Sequence, residues 1–127
     1  MRGNNVVLFF ALSLLCICCS GHREEITGVD WEAWRNDRQG CSNNRRTYQS
    51  AIDDQKERLK SLSEMEIVEL MGRPDQTELL KRNQKFFTYF ITGGPGCAVA
   101  DSVVALLTIR FNAMGLAKEV EVVRSKE

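Results

Sequence analysis

The feature that most limits what this chain can fold into is an uncharged apolar run near its start. Val6 to Leu15 holds ten residues without a charge, and the five residues before it carry one basic side chain, Arg2. The run is too short to cross a bilayer, which takes about 20 apolar residues, and it is typical of a secretory signal peptide. We therefore expect residues 1–19 to be a leader, which leaves residues 31–127 for one small domain. A buried N-terminal helix is the alternative interpretation.

Three cysteines follow the apolar run, at positions 16, 18 and 19. A thiol directly after an apolar stretch resembles the lipobox of bacterial lipoproteins, in which the cysteine becomes the lipidated, palmitate-bearing first residue. We predict lipidation at Cys19, which follows the small Cys18. Cys18 is the second candidate, because Leu15 stands where the lipobox has leucine. Each buried CH₂ of an acyl chain contributes roughly 0.8 kcal/mol to membrane binding. The alternative is a signal anchor or an ordinary signal peptide.

Residues 20–30 are polar, contain two glycines and show neither a helical nor a strand period. We interpret them as a tether, which reaches at most about 38 Å when extended. The whole chain carries 17 basic and 17 acidic side chains, so its net charge is zero. This balance gives no electrostatic footprint for nucleic acid. The expected membrane contact is therefore the lipid anchor, and the expected location is the bacterial cell envelope, at the outer membrane.

Two cysteines lie beyond the leader, Cys41 and Cys97. In an oxidising compartment such a pair predicts a disulfide, which the chain-entropy model values at roughly 4 kcal/mol for a loop of this length. Two separate buried thiols are the alternative. A metal site is disfavoured, because the single histidine, His22, lies in the tether and leaves the thiols without further ligands.

The side-chain inventory argues against catalysis. With His22 outside the domain, no histidine-based acid–base pair or triad can form there. The loop Gly93–Gly96 lacks the Lys-Ser/Thr pair that a phosphate-binding loop requires. We therefore predict that the protein is not an enzyme, and we expect no cofactor, no metal and no small-molecule substrate.

Two to three helices are predicted in the first half of the domain. Asp30 is suited to be the N-cap of the first. Apolar side chains recur at spacings of three and four from Arg45 to Leu62, which predicts one long helix. Ser63 and Glu66 form a capping-box pattern, and Gly72 provides a stop signal for the short helix that they begin.

The second half of the domain predicts three strands, at 86–91, 103–111 and 116–124. A glycine-rich loop follows the first strand, and residues 112–115 are typical of a hairpin turn. Alternation places apolar side chains on one face of the last two strands and leaves Arg110 to pair with Glu119 or Glu121 on the other. The expected fold is α+β, with the helices packed on one face of a three-stranded antiparallel sheet and water on the other.

The strand from Phe86 to Ile91 is apolar on both faces. One interpretation is a central strand covered by the loop that contains Cys97. The other is an aromatic surface for a protein partner, on which Phe86, Tyr89 and Phe90 would provide buried anchor area.

Three segments resemble one family. The capped helix and Gly-Arg-Pro turn of residues 63–74, the aromatic strand at 85–90 and the hairpin at 108–116 are similar to those of the SmpA/OmlA (BamE-like) family of small outer-membrane lipoproteins. The resemblance covers roughly residues 61–124. It implies a BamE-like fold and a role as an accessory to β-barrel assembly. The cysteine pair and the long second helix depart from the family pattern.

The leading expectation for function is a membrane-anchored protein-interaction module at the outer membrane. The alternative is a soluble periplasmic inhibitor-like or envelope-stress protein, since the fold class also resembles β-lactamase inhibitor proteins. A third hypothesis is a structural surface lipoprotein without a fixed partner, against which an exposed apolar patch would argue.

Overall fold

A computed structural model of the chain describes residues 25–99 and 101–126. The predicted leader, both candidate lipidation sites (Cys18 and Cys19) and the first part of the tether lie outside these residues. Within them, no helix has the length and apolar character needed to span a membrane.

The described residues form an α+β domain with a single antiparallel sheet, in which the strands follow one another in the order β1-β2-β3-β4. Short 3₁₀ turns occupy Arg38–Gly40, Lys56–Leu59 and Lys81–Asn83. The helices are α1 (Trp31–Asn36), α2 (Asn44–Gln55) and α3 (Glu64–Met71), and the strands are β1 (Gln76–Leu80), β2 (Gln84–Phe90), β3 (Val103–Phe111) and β4 (Ala117–Lys126).

The sheet has four strands, so the prediction of three was wrong. The additional strand, β1, pairs antiparallel with β2 along its whole length. All five residues of β1 are exposed, and its sequence therefore carries no alternation of apolar and polar side chains. A strand that buries no side chain gives no periodic signal. Its place is fixed by backbone pairing to β2 across the turn at Lys81–Asn83.

The predicted helix boundaries are confirmed where a capping group sets them. The Asp30 carboxylate accepts hydrogen bonds from the Glu32 and Ala33 amides at the start of α1. Ser63 and Glu66 form both bonds of a capping box, and α3 ends at Gly72, whose φ is positive, at 81°. These short-range interactions involve neighbours in sequence, so they can be read directly from it.

The long helix predicted from Arg45 to Leu62 is shorter in the structure. The α-helix ends at Gln55 and a 3₁₀ turn follows from Lys56 to Leu59. Ile52 and Leu59 are both fully buried, so the apolar spacing continues through the change of helix type. Periodicity alone therefore did not reveal the break.

The core lies between the helices and one face of the sheet. Leu107, Ile109 and Phe111 of β3 are fully buried, as predicted. The β3–β4 register shifts between Arg110 and Phe111 of β3, so that Phe111 pairs with Ala117. This bulge turns Ala117 inward in place of Lys118, which simple alternation would have put on the core face. The other buried apolar residues of this core are Ile26, Trp34, Ile52, Leu59, Ile67, Met71, Phe87, Tyr89, Ile91, Ala105 and Val120.

Candidate functional site

A buried ion pair connects the helices to the point where β1 begins. Arg45 of α2 and Asp75, just before β1, form a salt bridge in which both side chains are fully buried. The Arg45 guanidinium also donates to the carbonyls of Trp34 and Phe90, at 3.0 and 2.9 Å. It lies 4.9 Å from the centre of the Trp34 ring and 5.9 Å from that of Tyr89.

The Asp75 carboxylate extends this network to the strands. It accepts hydrogen bonds from the backbone amides of Phe90 at 2.9 Å and Gln39 at 3.2 Å, and the Arg38 guanidinium lies 3.5 Å from it. One carboxylate thus connects the end of β2, the 3₁₀ turn and the start of β1. The network holds Asp75, the residue just before β1, in the core, and it thereby positions the edge strand that follows.

The predicted disulfide between Cys41 and Cys97 is present. It holds the glycine-rich loop against the first 3₁₀ turn, where the Gln39 carbonyl accepts from the Gly94 amide at 2.9 Å and the Gln39 side chain accepts from the Gly96 amide at 2.6 Å. A Cβ on Gly94 would lie 2.8 Å from the Phe90 ring. Only glycine permits this approach, and the loop consequently covers the end of β2.

The structure places the three predicted partner-binding residues differently from one another. Tyr89 is fully buried in the core and its hydroxyl donates to the Gly72 carbonyl at 2.8 Å. Burial raises the pKa of that hydroxyl well above its ordinary value. Phe90 is also buried, under the Gly94 loop. Neither side chain offers surface to a partner, which corrects the interpretation of both as contact residues.

Phe86 is the predicted residue that keeps accessible surface. Its side chain is half-buried and lies on the face of the sheet away from the helices, because its neighbour Phe87 faces the core. We call this side the open face. Its members, taken from all four strands, include Glu78, Phe86, Thr88, Leu106, Thr108, Arg110, Glu119, Glu121 and Val123.

An ion pair lies on the open face. Arg110 of β3 and Glu119 of β4 are paired across the ladder, with hydrogen bonds of 2.6 and 2.9 Å, as the sequence predicted. The hydrogen bond from Arg110 lowers the pKa of Glu119. Phe86 pairs directly with Arg110 on the neighbouring strand. Leu106 and the 37%-exposed Val123 pair with each other further along β3 and β4.

The exposed edge of β1 is the second component of the site. Leu79 is 67% exposed and Leu80 is 44% exposed, and Glu78 is the one charged residue of the strand. An edge strand presents unpaired backbone N–H and C=O groups that can pair with another chain. The sequence contains no periodic signal for this strand, because none of its side chains is buried.

The opposite edge of the sheet is protected. At the start of β4, Ala117 exchanges two backbone hydrogen bonds of 2.8 Å with Ser61 and Leu62. The bulge beside it, together with charged residues along the rest of the strand, also disfavours pairing with another chain. The charged residues of β4 are Lys118, Glu119, Glu121, Arg124 and Lys126.

The described residues contain no group of three or more His, Cys, Asp or Glu side chains placed to hold a metal ion. In comparisons with known proteins, no protein-family model, no curated protein and no solved structure matches this chain. The open face and the β1 edge are the surfaces of the described residues that could bind a partner.

Proposed function

We propose that this protein is a lipid-anchored, non-catalytic protein-interaction module at the bacterial outer membrane, of the BamE-like type and accessory to β-barrel assembly. The observation that carries the interaction role is the combination of an uncovered strand, β1, with the accessible ring of Phe86 on the open face beside it. The membrane location is supported by the predicted leader and by the cysteines at its end.

The proposed binding mode is addition of a partner strand to β1. Main-chain hydrogen bonds to the edge would provide affinity, and side chains at alternate positions would provide specificity. On the open face, Glu78 pairs with Phe86 of β2. A partner strand would therefore meet a carboxylate next to an aromatic ring, which favours a basic side chain flanked by apolar ones.

The asymmetry between the two edges supports β1 as the contact strand. The first residues of β4 are already paired with Ser61 and Leu62, whereas β1 pairs only with β2 among the described strands. Natural proteins usually blunt an open edge with lysine, proline or a bulge. The strand Gln76–Leu80 contains none of these, which leaves its backbone groups open to a partner strand.

The protein-binding role can be tested with full-length tagged protein extracted gently from its own membranes. We expect Phe86→Ala to reduce recovery of a specific partner, measured by mass spectrometry, at an unchanged melting temperature. Met65→Ala is the matched control, since Met65 is 72% exposed on α3, on the other side of the domain. Equal recovery with both variants would contradict the proposed surface.

The anchor can be tested separately by labelling cells with an acyl-chain precursor. We expect Cys19→Ser to abolish incorporation, and Cys18→Ser to retain it. Loss in Cys18→Ser alone would move the lipidation site to Cys18. A chain without label in its wild-type form, recovered from the periplasm, would instead support the soluble inhibitor-like alternative.

A further inference from the structure

A cleft separate from the open face lies between α2 and the far end of the sheet. It has a volume of about 310 Å³ and continues into a second depression of about 330 Å³. Two arginines, Arg46 and Arg124, line both parts, and Gln49 lies between them. The remaining residues that line the cleft are Ser50, Asp53, Thr92, Val103 and Ala105.

The fold brings the two arginines together from distant parts of the sequence. Arg46 and Gln49 are three positions apart on α2, so they lie on the same side of that helix. Arg124 pairs with Ala105 across the β3–β4 ladder. Ala105 is buried in the core, so Arg124 lies on the same face of the sheet as the helices, at an end of the sheet where its side chain stays exposed.

Among the described residues, no acidic side chain pairs with the two arginines of this cleft. Neither Arg46 nor Arg124 forms an ion pair or a side-chain hydrogen bond with any other described residue. The one acidic residue in the lining, Asp53, is paired with Lys56 at 2.9 Å. Two like charges facing one small cleft repel each other, and an anion between them would relieve that repulsion.

We propose that the cleft binds an oxyanion, a phosphate or carboxylate group, held between the guanidinium groups of Arg46 and Arg124. Arginine presents a planar fork of donors that matches both groups in a bidentate geometry. The Gln49 amide provides a further donor within the same lining. The volume suits the anionic group of a small ligand, since it lies at the lower end of the range for ligand pockets, about 300 to 1,000 Å³.

The proposal can be tested on the purified full-length chain by nuclear magnetic resonance titration at constant ionic strength. The probes are inorganic phosphate and citrate, with chloride as the reference anion. We expect shifts that saturate and are confined to residues 46–50 and 124. Arg46→Gln and Arg124→Gln should each weaken binding roughly ten-fold or more, the value of one charge-assisted hydrogen bond. Arg73→Gln, a change of an exposed arginine outside the cleft, should leave affinity unchanged.

The two probes distinguish the source of the oxyanion. Saturable shifts with phosphate alone identify a phosphate group, and shifts with citrate alone identify a carboxylate. Shifts that grow linearly, spread over other basic residues or persist in both cleft variants would overturn the proposal. The wild-type titration decides the matter even if a variant is unstable. Because the cleft and the open face share no residue, failure here leaves the proposed protein-binding role unaffected.

Discussion

Replacing Arg45 with methionine tests the role of the buried network most sharply. The change removes the salt bridge with Asp75 and the hydrogen bonds to the Trp34 and Phe90 carbonyls. It leaves the buried Asp75 carboxylate with the half-exposed Arg38 as its remaining charged partner. Breaking a buried ion pair typically costs about 3 to 5 kcal/mol. We expect the free energy of unfolding to fall by that amount. The neighbouring Arg46→Met, at an exposed position, should change it by less than about 0.5 kcal/mol.

A double-mutant cycle separates the ion pair from general loss of packing. Asp75→Asn keeps an oxygen that can accept from the Phe90 amide and removes the charge. We expect the double variant Arg45→Met/Asp75→Asn to cost less than the sum of the single changes, by about 0.5 to 3 kcal/mol. Urea denaturation followed by tryptophan fluorescence, with the disulfide intact, measures all four proteins. A cost below about 1 kcal/mol for Arg45→Met, or strict additivity, would refute the reasoning.

Two further predictions concern stability. Cys41→Ser and Cys97→Ser should each lower the free energy of unfolding by about 4 kcal/mol under oxidising conditions; unchanged melting temperatures would contradict a stabilising cross-link. Burial raises the pKa of Tyr89 in the folded protein. The contribution of Tyr89 to the free energy of unfolding is therefore complete below the unfolded tyrosine pKa of about 10, and it is lost as the pH rises further. Tyr89→Phe should cost about 1 kcal/mol at neutral pH, through the lost bond to Gly72, and should remove part of the alkaline decline. An identical alkaline decline in both proteins would refute the assignment.

The sequence predicted those features that depend on local interactions. The capping box at Ser63 and Glu66 and the stop at Gly72 involve residues close together in the chain. The Arg110–Glu119 pair follows from the short hairpin that joins the strands. In each case a residue's partner lies within about ten positions, and the pattern of residue types was sufficient.

Features that depend on tertiary packing could not be predicted in the same way. Arg45 looks like one more charged residue at the start of a helix, yet it is fully buried against Asp75. The sequence gives no sign of this burial, because Asp75 lies 30 positions further along the chain. Tyr89 could not be assigned to the core or to the surface, because its strand is apolar on both faces. The exposed strand β1 left no pattern at all, and it became part of the candidate site only through its pairing with β2.

The most direct test of the proposed interaction role is site-specific photo-crosslinking in intact cells. A photoreactive amino acid at position 78, on the open edge, is compared with one at position 32, which is exposed on α1. We predict a discrete crosslinked product of one partner protein from position 78, and none of comparable yield from position 32. The absence of a product at position 78, or equal products from both positions, would contradict a binding role for the β1 edge.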